Sequence, residues 1–118
     1  MATDILDEFK PDGLIVDTRI SALPKEIKIQ KGQGLLLRGT VLGKIKENNL
    51  CVILDSTKTD GSQEPYCVLA DDVETEVKDV VSTGYFTGIF DKSSLIFGGS
   101  DTVDIHEDKL RKLNIHVK

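Results

Sequence analysis

Residues 35–54 read LLLRGTVLGKIKENNLCVIL, and no other stretch limits the fold as much. Two apolar, β-branched runs flank Glu47-Asn48-Asn49, and asparagine tolerates the left-handed backbone that a tight reversal requires. TVLGKIK and LCVIL are therefore a candidate hairpin, and a chain organised around such runs builds sheets. Its neighbours have the same character. Residues 26–30 (EIKIQ) alternate, and KGQG at 31–34 is a turn. In YCVLA at 66–70, Tyr66, Val68 and Ala70 fall on one side of an extended chain and Cys67 and Leu69 on the other. Asp60-Gly61 and Pro65 ahead of that run mark a turn and the point where pairing can begin.

After a polar, acidic connection, DDVETEVKD, residues 80–90 read VVSTGYFTGIF. Val80, Ser82, Gly84, Phe86, Gly88 and Phe90 share one face, and both faces are partly apolar. This predicts a strand covered on each side, with Gly84 and Gly88 at bulges or bends where another segment passes close. Residues 91–94 (DKSS) then turn into a short strand, LIFGG. One helix is predicted, in TVDIHEDKLRKLN at 102–114, where Val103, His106, Leu110 and Leu113 recur at helical spacing. Ser100 or Asp101 can cap it, acids lie early and bases late, and Asn114 can end it before a terminal strand, IHVK. Residues 1–24 carry Pro11, Pro24 and a Pro11-Asp12-Gly13 turn, with no sustained helical stripe. Within them Leu14, Val16, Thr18 and Ile20 share a parity and could pair as a strand, so residues 1–20 read as an arm and 21–118 as a β-rich body.

At 118 residues the chain can bury about two-thirds of its unfolded surface. Only six residues are aromatic and none is Trp, which leaves Val, Ile and Leu to supply most of the core. Twenty acids against fifteen bases give a net charge of −5, so a nucleic-acid partner is not expected: phosphate binding rests on concentrated Lys and Arg. No apolar run reaches the ~20 residues of a membrane span, and the acidic start MATDILDEFK is unlike a secretory signal, which predicts no membrane partner and synthesis and use inside a cell. Cys51 and Cys67 fit neither a disulfide framework nor a zinc pattern and are expected as free, buried thiols.

Catalytic patterns fail one by one. His106-Glu107 begins a zinc-protease signature, but Leu110 occupies the position of its second histidine. His106 reads instead as a half-buried helix residue, and His116 lies beyond the helix. GQG at 32–34 precedes a strand, so it lacks the helix N-terminus that a phosphate cradle uses. Ser82, Ser93, Ser94 and Ser100 have no nucleophile-elbow context, and the side chains of Asp71 and Asp72 diverge on a strand. No catalytic residue, metal site or cofactor is assigned, and the expectation is a non-enzyme. Two rivals stand beside a structural role: a β-barrel module recognising a peptide or sugar, with Tyr66 and Tyr85 as its aromatics, and a hydrolase built on Asp71 or Asp72.

Taken in order, GQGLLLRGTVLGKI, TDGSQEPYCVLADDVE and VVSTGYFTGIFDKSSLIFGGSDTVDIHEDKLRKLNI resemble the head decoration proteins of tailed bacteriophages, the lambda-type cement family. The likeness runs from about Leu14 to Ile115. It departs at Cys67, where the family usually has a small or aliphatic residue, and in the acidic first ten residues. The resemblance implies a mainly β, clip-like partial barrel with one C-terminal helix and an extended N-terminal arm. It also implies a homotrimer on the exterior of the expanded capsid, at three-fold positions of the virion head. The major capsid protein would then be the partner, met by the arm through Leu14, Ile15, Val16, Thr18 and Ile20, an alternation suited to strand addition.

Overall fold

The structure is a computed structural model that describes residues 13–118. The first ten residues and most of the Pro11-Asp12-Gly13 turn lie outside the described residues. Ten strands, one α-helix and a short 3-10 turn at Lys92–Ser94 are described: β1 (Ile15–Asp17), β2 (Pro24–Ile29), β3 (Leu35–Leu36), β4 (Val41–Lys44), β5 (Cys51–Ile53), β6 (Pro65–Leu69), β7 (Val73–Glu74), β8 (Val80–Tyr85), β9 (Gly88–Phe90), α1 (Val103–Lys112) and β10 (Ile115–Val117). The fold is mainly β. Five strands close a barrel in the order β2-β5-β4-β6-β8. β1, β9 and β10 form a second sheet with β9 in the middle, and β3 pairs with β7.

The expected hairpin is β4–β5. Lys44 pairs with Cys51, Ile45 N–H donates to the Leu50 carbonyl at 2.9 Å, and Asn49 takes φ 62° at the reversal. Closure comes from β2, antiparallel to β8 from Pro24↔Tyr85 to Ile29↔Val80 and parallel to β5 at Ile29↔Cys51.

Period-two alternation divides the interior into two cores. On β4 and β6, Leu42, Cys67 and Leu69 join Ile27, Ile29 and Cys51 in one cluster, while Val41, Val68 and, just past the end of β6, Ala70 face a second that holds Leu14, Ile15, Phe90, Leu110 and Ile115. The wall made by these strands is therefore apolar on both faces. Each large aliphatic side chain fully covered in this way contributes about 1.5–3 kcal/mol. Gly43 is required where the Asp60-Gly61-Ser62 turn crosses β4: a Cβ there would lie 2.7 Å from the Ser62 carbonyl carbon and 2.8 Å from its Cα.

Several expected elements differ. LLLRGTVLGKIK is two strands in two sheets, because Gly39 turns the chain at φ 100° and a side chain there would meet the Ser94 carbonyl oxygen at 2.6 Å. VVSTGYFTGIF is likewise β8 and β9, with the break at Phe86-Thr87 and Gly88 at φ 143° carrying the chain from the barrel to the second sheet. Its first half is not covered on both sides, since Val81 is 57% exposed. Gly84 does mark a close approach: a Cβ there would lie 2.7 Å from Cys67 Sγ. LIFGG is no strand and keeps only an isolated bridge, Ile96 to Thr40. DDVETEVKD, in contrast, contains β7, which β3 recruits through Leu36↔Val73.

The helix is capped at Thr102, not at Ser100 or Asp101, and Thr102 makes no side-chain capping hydrogen bond. Asn114, at φ 67°, ends that segment as expected, and β10 follows it in parallel to β9.

Candidate functional site

The expected arm residues do not share one environment. Leu14 and Ile15 are 1% and 2% exposed and belong to the second core, whereas Val16 is 39% exposed, Thr18 is exposed and Ile20 is half-buried. Strict alternation from Leu14 fails because the β1–β9 register shifts between Ile15 and Asp17, a bulge that turns two consecutive apolar side chains inward. Leu14 also accepts the Asp91 N–H through its carbonyl at 2.8 Å. The core thus takes in Leu14 and Ile15, which lie within the expected arm of residues 1–20.

Charge fixes the root of this segment as well. Asp17 receives Arg19 Nη2 at 2.7 Å and Lys118 Nζ at 3.2 Å, linking β1 to the C-terminal residue. The Arg19 hydrogen bonds, with Lys118 adding to them, hold the Asp17 carboxyl well below the usual carboxylate range. Both cations are largely solvated, so the link orients the strand more than it stabilises the fold.

The polar groups that sequence reading singled out are mostly structural in their contacts. His106 is not half-buried: it is 1% exposed, stacked on Phe97 at 5.5 Å, with Nε2 2.8 Å from Asp101 Oδ2. Asp101 also accepts Ser56 N–H and Ser56 Oγ, each at 2.7 Å. Burial raises the Asp101 carboxyl, but the His106 and Ser56 hydrogen bonds outweigh it and leave the group below its ordinary value. Because the carboxylate is the acceptor, Nε2 is the protonated nitrogen of the ring. Asp101 stands between the serine and the histidine, so the imidazole does not touch the hydroxyl, and the trio clasps α1 to the 55–58 loop. This use of Asp101 explains why it is not the helix cap.

Both cysteines are free and buried, as expected. The hydrogen bond to Cys51, with burial, pushes the Cys67 thiol up and keeps it protonated, which suits a packing residue. Asp71 and Asp72 are exposed, and Asp72 accepts the Arg38 N–H at 2.7 Å. The Arg38 guanidinium donates to the Ala70 carbonyl at 2.8 Å and the Tyr85 hydroxyl at 2.9 Å, a clamp that no sequence motif announced. Tyr85 is buried, and Tyr66 packs edge-on against Phe86 at 4.9 Å with Lys44 Nζ 4.6 Å above its ring. The two tyrosines therefore do not line a common aromatic groove of the sort a sugar-binding module uses.

The geometry defines a class: a small, mainly β protein built on a five-stranded barrel with one C-terminal α-helix. The family model for bacteriophage lambda head decoration protein D matches residues 7–117, and the chain belongs to that family. No individual curated protein matches the chain. Family membership gives the chain a role in decorating the phage capsid and a place on the virion.

Proposed function

We propose that the chain binds the exterior of the expanded capsid as a homotrimer at three-fold positions and stabilises the DNA-filled head. The observation that carries this reading is the family match over residues 7–117, nearly the whole chain. The surface is consistent with self-association, since Leu35, Leu37, Val77 and Val81 are exposed apolar side chains that a neighbouring copy could cover. The N-terminal segment is the coat-protein contact in this reading, with a division of labour along it. Leu14 and Ile15 anchor the segment in the core, while Val16, Thr18, Ile20 and the residues before Gly13 meet the major capsid protein.

Stabilisation follows from mass action. A ligand that binds only the expanded shell contributes RT ln(1 + [L]/Kd), about 2.7 kcal/mol per site at a hundredfold excess over Kd. In a trimer the second and third contacts form at high effective concentration, so three weak arms give a persistent attachment. A net charge of −5 suits a protein that stays outside the shell, away from packaged DNA.

The test is native mass measurement followed by co-sedimentation with empty expanded shells. A trimer that saturates shells at three copies per three-fold position is the expected result. A chain that stays monomeric at every concentration and remains in the supernatant refutes the proposal.

A further inference from the structure

Two shallow depressions, both open to solvent, meet at the start of β6. One, of about 350 Å³, is lined by Glu64, Pro65, Lys109, Lys112 and Leu113. The other, of about 220 Å³, shares Glu64 and Pro65 and adds Lys44, Lys46, Gly61 and Tyr66. They form one trough, from the end of the β4 hairpin to the end of α1. Four lysines rim it, against the single carboxylate of Glu64, on a chain whose overall charge is −5.

The state of those cations matters. Lys109 already pairs with Glu64 at 3.0 Å, and Lys44 lies over the Tyr66 ring at 4.6 Å. Lys46 and Lys112 make no ion pair among the described residues. A helix C-terminus attracts bases on its own account, which is reason enough for Lys109 and Lys112. It gives no reason for Lys44 and Lys46, which reach the same trough from a strand hairpin some sixty residues earlier. Between the two pairs the floor is partly apolar, with the ring of Tyr66, Pro65 and the 41% exposed Leu113.

We infer that this trough receives an extended acidic segment of the coat protein, with carboxylates at Lys46 and Lys112 and an apolar side chain over Pro65 and Leu113. The inference rests on the decoration reading and adds to it a second contact, separate from the N-terminal segment. The trough is too open to enclose most of a small molecule, as a ligand pocket does. An acidic peptide fits better than nucleic acid because it can place an apolar side chain over Pro65 and Leu113, which a phosphate backbone does not offer, and because it is short enough to avoid the net charge of −5 that a long polyanion meets beyond the trough.

The experiment uses the full chain with K46E/K112E, both exposed positions outside the core, checked for wild-type oligomeric mass and melting. The control is K28E/K78E, exposed lysines elsewhere that change net charge by the same amount, from −5 to −9 at two units per substitution. Binding to empty expanded shells is measured by co-sedimentation from 50 to 300 mM NaCl. K46E/K112E is expected to bind about 10–100-fold more weakly at low salt, with a flatter salt dependence, while the control and K46R/K112R bind like wild type. Wild-type binding by K46E/K112E, or equal weakening by the control, overturns the inference and leaves the decoration reading intact. Failure of the unmodified chain to bind shells overturns both. If labelled single-stranded DNA binds the wild type and not K46E/K112E, while shell binding is unchanged, the trough is a nucleic-acid site and the inference is wrong.

Discussion

Truncation separates anchoring from docking, because the N-terminal segment changes environment within a few residues. Leu14 and Ile15 are almost completely buried, in a core that also holds Phe90, Leu110 and Ile115. Truncating a buried Leu or Ile to Ala costs about 2–5 kcal/mol, and two adjacent residues that share neighbours give somewhat less than the sum. L14A/I15A should therefore lose roughly 4–8 kcal/mol, against a total stability of about 5–15 kcal/mol for a domain of this kind. Removal of residues 1–20 should cost more. It also deletes β1 and its pairing with β9, and it leaves the Asp91 N–H without the Leu14 carbonyl. Removal of residues 1–12 deletes none of these groups. Urea unfolding followed by circular dichroism, at one fixed protein concentration, reads the difference. With a slope of about 2 kcal/mol per molar, L14A/I15A should move the midpoint down by about 2–4 M, and the 1–20 deletion should fail to fold cooperatively. The 1–12 deletion should keep the wild-type midpoint and bind expanded shells more weakly. A midpoint for L14A/I15A within about 0.5 M of wild type refutes the placement of these side chains. Saturation of expanded shells by the 1–12 deletion at wild-type concentrations refutes a docking role for the residues before Gly13.

Two further outcomes are expected. Phe90→Ala should cost about 3–5 kcal/mol in thermal or chemical unfolding, whereas Phe86→Ala, at a half-buried ring against Tyr66, should cost clearly less; equal losses would contradict the different burial of the two rings. For Asp101, a folded-state value below the ordinary one means a contribution that is fully present above the unfolded carboxylate value near 3.8 and lost as pH falls through the lowered folded one. Asp101→Asn should therefore lower stability at pH 7 by about 2 kcal/mol, through its hydrogen bonds to His106 and Ser56, and should flatten the decline below about pH 4. An acid-unfolding profile parallel to wild type would refute the clasp.

The sequence by itself determined the local geometry and the family. Alternation made strands of EIKIQ and YCVLA, Asn49 supplied the left-handed residue of the β4–β5 hairpin, and Asn114 stopped the helical segment before β10. Three ordered blocks pointed to a head decoration protein, as the match over residues 7–117 shows. These features are legible because each depends on side-chain period or backbone preference within a few residues. Tertiary structure decided what depends on partners far along the chain. Gly39 and Gly88 split apparently continuous strands where the path had to leave one sheet for another, and β7 formed in an acidic stretch because β3 lay beside it. Leu14 and Ile15 both turned inward because β9 set their register. Asp101 left the helix cap for a buried histidine, and the lysine trough joins two segments some sixty residues apart. A period of two states which residues share a face, but only the packed chain states what that face meets.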